Sequence, residues 1–412
     1  MNGSIIVKKY RYLLIFCLSL ASIVTLAQEP TPKKEKEAKS RLQYRITESK
    51  GTITGGKVKS IQLSDAALMA IHIPSTGKKI IAGGKDGVIR VLDRSTGHII
   101  NLDSHNGYVR SLDSDPSGRY VLSGGQDGDL FLWDLFSKKL ILLYTHSLPI
   151  TMVSFSPDGK WVASAGEDRK LVIIDIKTRK PIRLADHHEP FWAVKFSPDS
   201  KYIAAGGTDN RVRLWDIKNQ KMSLMPGMSG AVSSISFSKD GKWILCSKND
   251  GSVRLWDIKS GEVIKKSWHK HPVTAAIFNS NDRLIVSGGW DKQVVVWNRD
   301  SDKAMFMKAH SATVTKVMIS KNSRHIVSTS YDGSVRHWDL KLNEVTPLYR
   351  HVREVNSMAY NEKSGLIATV GDNGTLYFFL EEAIRDIIQE KTRRQMSGTP
   401  SHRLKGSFFR KK

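Results

Sequence analysis

One aspartate recurs along the chain at a nearly fixed interval, and this period constrains the fold more than any other feature. Asp86, Asp127, Asp168, Asp209, Asp250, Asp291, Asp332 and Asp372 are spaced 41 residues apart six times and then 40. Each lies in a turn such as "GGQDG" or "TSYDG". A short apolar run precedes it, as in "RYVLSGG", and an alternating run follows, as in "DLFLWD". Ahead of both stands "VSFSPDGK" or a relative. Period-two segments punctuated by Gly, Asp and Pro read as antiparallel strands and turns. Repeats in the low forties, each unable to bury both of its faces alone, read as propeller blades. A repeat fold also accommodates 412 residues, which exceed one ordinary compact core.

The repeated unit, "His … SPDG … SGG-x-Asp-G … Trp-Asp", resembles the WD40-repeat β-propeller family over roughly residues 57 to 380. The resemblance implies an all-β fold in which the strand ending in Trp-Asp is the third of its blade. The last unit closes on such a third strand, "TLYFF", residues 375–379, with no fourth behind it. An orphan fourth strand, "VKSIQL", residues 58–63, stands before the first unit instead. The expectation is an eight-bladed propeller whose ends share the last blade, leaving no open edge. Seven blades, the commoner family number, is the alternative.

The two ends differ from the repeat. Lys8, Lys9 and Arg11 precede the apolar run "LLIFCLSLASIVTLA", residues 13–27. A basic start, a short apolar run and small residues before Gln28 read as a signal peptide over residues 1–27, with an uncleaved anchor as the alternative. The expectation is an exported protein, periplasmic or otherwise associated with a bacterial envelope. Residues 28–56, with Pro30, Pro32 and "KKEKEAK", read as a charged linker. Cys246 is the only cysteine outside the signal segment, so no internal disulfide is expected. After Leu380, "EEAIRDIIQEKTRRQ", residues 381–395, spaces its apolar residues helically, with acids first and bases last. It is expected to pack under the propeller or to dock on a partner. Residues 396–412 form a basic tail ending "GSFFRKK".

The net charge of +24 points to acidic partners. An anionic membrane surface or a polyanion met by the tail fits. Nucleic acid does not fit an exported chain.

Repeated Asp, His and Ser invite a catalytic reading. The resemblance implies otherwise: in the family these residues form a buried hydrogen-bond chain with the Trp of their blade. The complete sets are His105, Ser123, Asp127 and Trp133; His269, Ser287, Asp291 and Trp297; and His310, Ser328, Asp332 and Trp338. The other blades carry partial sets. No catalytic residue, metal site or cofactor is expected. "HKH", residues 269–271, and His187-His188 lack the companions that zinc needs.

In the family, the face that carries partners shows three positions per blade. They lie three and five residues after the His, and one before the phase Asp. Transferred position by position, they yield Tyr108, Arg110, Glu167, Trp192, Trp290 and Tyr331 as the expected partner-binding residues. In the last blade they are Glu354, Asn356 and Gly371, and in the first, by phase, Ala67, Met69 and Lys85. Aromatic and Arg side chains are the usual anchors of protein interfaces. For Tyr108 and Trp192 the alternative is packing between blades. The functional expectation is a non-enzymatic scaffold in a multiprotein envelope complex for secretion, motility or assembly. The rivals are a propeller enzyme with its site in the central channel, and a polyanion- or glycan-binding protein.

Overall fold

The structure, a computed structural model, describes residues 44–389 except 187–188 and 227–228. The chain divides into two units, 1–42 and 43–412, and everything described belongs to the second. The signal segment, residues 28–43 of the linker, the end of the helix, the tail, His187 and Met228 lie outside the described residues.

The described chain forms eight antiparallel sheets, the eight expected blades. Blade 2 shows the plan. Val109–Ser114 is innermost, then Tyr120–Gly125, then Asp129–Asp134, with Lys139–Thr145 outermost. The second and third strands are buried along almost their whole length because neighbouring blades cover both sheet faces. They are therefore continuously apolar rather than alternating. Outer strands, such as Lys221–Leu224 in blade 4, are exposed throughout. Apolar clusters fill the space between consecutive blades, for example Leu122 and Leu132 of blade 2 against Ile150 and Val162 of blade 3.

In four blades, a pair of glycines keeps this spacing. A Cβ at Gly124 would stand 2.5 Å from Ile150 of the next blade, and one at Gly125 would stand 2.4 Å from the His105 ring. The "GG" pair thus admits the neighbouring blade on one side and the histidine on the other.

The ring closes through blade 8. Val355–Asn361, Leu366–Gly371 and Thr375–Leu380 come from the C-terminal end. Lys59–Gln62 pairs antiparallel with Thr375–Leu380 as the fourth strand, as expected. The innermost strands of blades 8 and 1 then contact each other, as do all other consecutive pairs.

Residues 45–50 depart from the expected linker. Arg45–Lys50 is a fifth strand on the outer edge of blade 1, paired antiparallel with His98–Asp103 over six residues. "RITESK" alternates only weakly, and its side chains are nearly all exposed, so it reads as solvated chain although its backbone is paired. Glu48 accepts hydrogen bonds from His98 and from Lys138 of blade 2. Tyr44 stands edge-on to Trp133, ring centroids 5.7 Å apart.

After Thr375–Leu380 a 3-10 turn, Glu381–Ala383, leads into a helix over 384–389. Ile384 and Ile387 are buried against Phe379 and Val327. Tyr360 donates to Glu381, and Lys57 pairs with Asp386. The described helix therefore packs on the propeller. No described helix is long and apolar enough to cross a membrane.

Candidate interaction face

The histidines build the blade ends. His105 meets Asp127 at 3.0 Å through Nδ1 and Ser123 at 2.8 Å through Nε2. His146 does the same with Asp168 and Ser164, His269 with Asp291 and Ser287, and His310 with Asp332 and Ser328. The carboxylates also accept backbone N–H groups from the loop that follows each histidine, as Asp127 does from Asn106. Burial alone would raise the Asp332 carboxyl, but hydrogen bonds from His310, Ser334 and two backbone amides hold it well below the usual range. The four imidazoles are fully buried and cannot meet a substrate.

The fourth member is joined in one of the three sets expected to be complete. Trp338 donates to Ser328 at 2.8 Å. Trp297 donates instead to Asp302, with Trp268 edge-on to its ring and Lys266 over it. Trp133 Nε1 is buried without a partner.

Three phase aspartates bind an arginine instead of a described histidine. Asp86, Asp209 and Asp250 pair with Arg90, Arg213 and Arg254, each four residues on. Ser64 and Ser229 add hydroxyl hydrogen bonds to Asp86 and Asp250. In blade 5 Lys248 stands where six other blades have a glycine and blade 7 has Ser330. It is fully buried and donates to the Asn210 carbonyl of blade 4. Burial lowers its pKa to about 8. Cys246 beside it is buried, with its thiol pushed up to about 11, so it is not a nucleophile at neutral pH.

Blade 8 corrects the phase read from the sequence. His351 Nε2 meets Thr369, the place of Ser328, and the position equivalent to Asp332 is Asn373, so the step is again 41. Gly371 is the second glycine, with the Glu354 carbonyl and His351 crowding the space a Cβ would need. Asp372 is the face residue: its N–H donates to the Glu354 carbonyl, as that of Gln126 donates to Tyr108. The slip arose because Asp372 and Asn373 are adjacent, and only the aspartate matched the repeated letter.

The innermost strand of every blade begins with a register shift at the residue five after the histidine position. A bulge re-aims its side chain towards the strand end and the next blade. At five of these positions the side chain ties neighbouring blades. Thr151 donates to Phe191 O, Ser233 to Val273 O, Thr274 to Val314 O, Thr315 to Val355 O and Asn356 to Leu68 O. The remaining three residues are Met69, Trp192 and Arg110, the last of which reaches the next blade through an ion pair with Glu167.

Around the closure seam the face residues form a continuous set. Arg110 pairs with Glu167 of blade 3 at 2.5 Å. Lys85 stands over the Tyr108 ring at 5.6 Å, and Tyr108 is 42% exposed. Asn356 donates to Asp372 at 2.8 Å. Burial raises the Glu354 carboxyl, Asp372 adds to the rise, and Lys85 offsets part of it. Tyr331 is raised to about 12 by burial, then by Glu354 and Asp372. The structure thus groups Tyr331, Tyr108, Arg110 and Glu167 with Glu354, Asp372 and Lys85. Trp192 and Trp290 are half-buried on blades 4 and 6.

The opposite face carries the "SPDG" turns. A cleft of about 710 Å³ opens there between blades 5 and 6, where Arg299 stacks on Trp243 at 4.6 Å. Among the described residues no group of three or more His, Cys, Asp or Glu could hold a metal ion.

Comparison with protein families agrees with this architecture. The model described as the IFT122 first beta-propeller matches residues 67–306, and that described as WD domain, G-beta repeat matches residues 302–339. Comparison with curated proteins returns no match. With more than half of its length matched by one propeller model and a further blade by the WD repeat itself, the chain belongs to the WD40-repeat β-propeller family.

Proposed function

We propose that this protein is a non-enzymatic interaction scaffold and that the face around the closure seam, from Tyr331 to Glu167, seats its protein partner. Propellers of this family generally mediate protein–protein interaction. The observation that carries the reading is the break in the repeat. Where five blades spend the bulged position on a short hydroxyl or amide bonded to a backbone carbonyl of the next blade, blade 2 presents Arg110, paired with Glu167 of blade 3 and flanked by half-exposed Tyr108 and by Lys85. A mixed aromatic and charged patch on a rigid rim has the composition of an interface core and its polar border. The apolar stretch of residues 13–27 and its basic start support export, so the proposed setting is an envelope complex. The basic tail supplies a second contact, with an anionic surface or polyanion.

The test is a crosslinked affinity capture from native envelopes, comparing wild type with a Tyr108→Ala, Tyr331→Ala double variant of verified fold. A protein set captured by wild type and lost by the variant supports the face. The same set retained by the variant excludes it. Localisation is read separately, by fractionation of the intact chain and of one with Leu14→Arg and Phe16→Arg, which should remain unexported.

A further inference from the structure

The propeller's bore contains two lysines that the face does not use. Lys195 lies within the innermost strand of blade 4, between Val194 and Phe196, both buried. Lys316 lies within the innermost strand of blade 7, between Thr315 and Val317, both buried. Both lysines are nevertheless exposed. A mid-strand residue of an innermost strand has its own blade on one side and the bore on the other, so its solvent is the water of the bore.

Two electrostatic effects agree with that placement. Lys195 helps to depress the imidazole of His72, after burial and against Asp113, although His72 is in blade 1, three blades away. Only the bore separates those strands. Surrounding protein lowers the Lys316 ammonium although its side chain is solvent-exposed, as expected for a charge in water enclosed by walls.

Among the described residues neither lysine has an ion-pair partner, and Asp113, the acid of these inner strands, is hydrogen-bonded elsewhere. Asp113 accepts the backbone N–H groups of Ser114 and Phe155 and faces His72 at 3.4 Å. Two ammonium groups against one carboxylate leave the inner strands with a net positive charge. The residue three periods on from Lys195 is Met318, so Lys316 sits two residues nearer the start of its strand. That offset corresponds to about 7 Å of rise along the bore. Two fixed charges on different walls and at different depths suit a multiply charged anion with oxygens along its length.

We propose that the central bore is an anion site in which Lys195 and Lys316 hold the polyphosphate portion of a small molecule. This does not depend on the protein-binding face. Tripolyphosphate is the probe, titrated calorimetrically into the full-length protein at constant ionic strength. A saturable site of one-to-one stoichiometry is expected, weakened at least tenfold by Lys195→Gln and by Lys316→Gln. The exposed Lys341→Gln control should leave it unchanged. Bound tripolyphosphate should also protect Lys195 and Lys316, but not Lys160 or Lys201, from acetylation read by mass spectrometry. Absence of a saturable site in wild type overturns the proposal. So does binding that survives both bore variants, which would assign it to the basic surface or tail.

Discussion

Trp338 and Trp133 hold equivalent places in blades 7 and 2, yet one N–H is bonded and the other is not. Replacing Trp338 with Phe should remove a buried hydrogen bond worth about 1 kcal/mol beyond the packing loss. Replacing Trp133 with Phe should incur only the packing loss, so its denaturation midpoint should fall less. Equal falls would show that the two indoles are bonded alike. Lys248 provides a pH test at the same scale. Burial lowers its folded pKa from 10.5 to about 8, so below pH 8 the folded state carries a penalty that the unfolded chain lacks. Stability from this group should rise as pH climbs from 8 towards 10.5. Lys248→Met should be more stable than wild type at pH 7, with the advantage shrinking by pH 10, as read by urea unfolding at both values. A pH-independent difference would place the cost elsewhere. Single residues were only partly legible in the sequence. The recurring letters reveal His105, Ser123 and Asp127, but Arg90 and Arg254 do a histidine's work with no motif to announce it. The indole directions depend on neighbours such as Trp268 and Tyr44, which only the folded packing brings together.

Among the elements, the strand that closes the ring and the strand that straps its outside should differ in weight. Ile61, in Lys59–Gln62, is 2% exposed and belongs to the core shared by blades 1 and 8. Arg45–Lys50 is almost wholly exposed. Ile61→Ala should cost about 2–5 kcal/mol. A chain begun at residue 51 should lose less, because it forfeits mainly edge hydrogen bonds and the Tyr44 contact. A larger loss from the truncation, measured by thermal unfolding, would mean that the strap bears on the whole ring. The closing strand was visible in the sequence because it completes a unit that lacks its fourth strand. The strap was not, because charged, weakly alternating residues hide a strand stabilised mainly through its backbone. The bulge at the start of each innermost strand was likewise hidden, being a register relation between two strands.

At the scale of the whole molecule, the ring makes eight similar blade ends into one rim, and departures from the repeat there stand side by side. The expected Tyr331 of blade 7 and Tyr108, Arg110 and Glu167 of blades 2 and 3, 223 residues apart at the extremes, flank the closure seam, with Glu354 and Asp372 of blade 8 and Lys85 of blade 1 between them. The sequence named them, and Glu354, by phase but missed Asp372, since a one-residue slip had put Gly371 in its place. Partners are proposed to seat on this rim and not on the "SPDG" turns opposite. The direct measurement is lysine crosslinking of the native complex followed by mass spectrometry. Lys85, beside Tyr108, should crosslink to the partner, while Lys160, Lys201 and Lys242 in the opposite turns should not. Crosslinks from those three turns with none from Lys85 would move the interface to the other face.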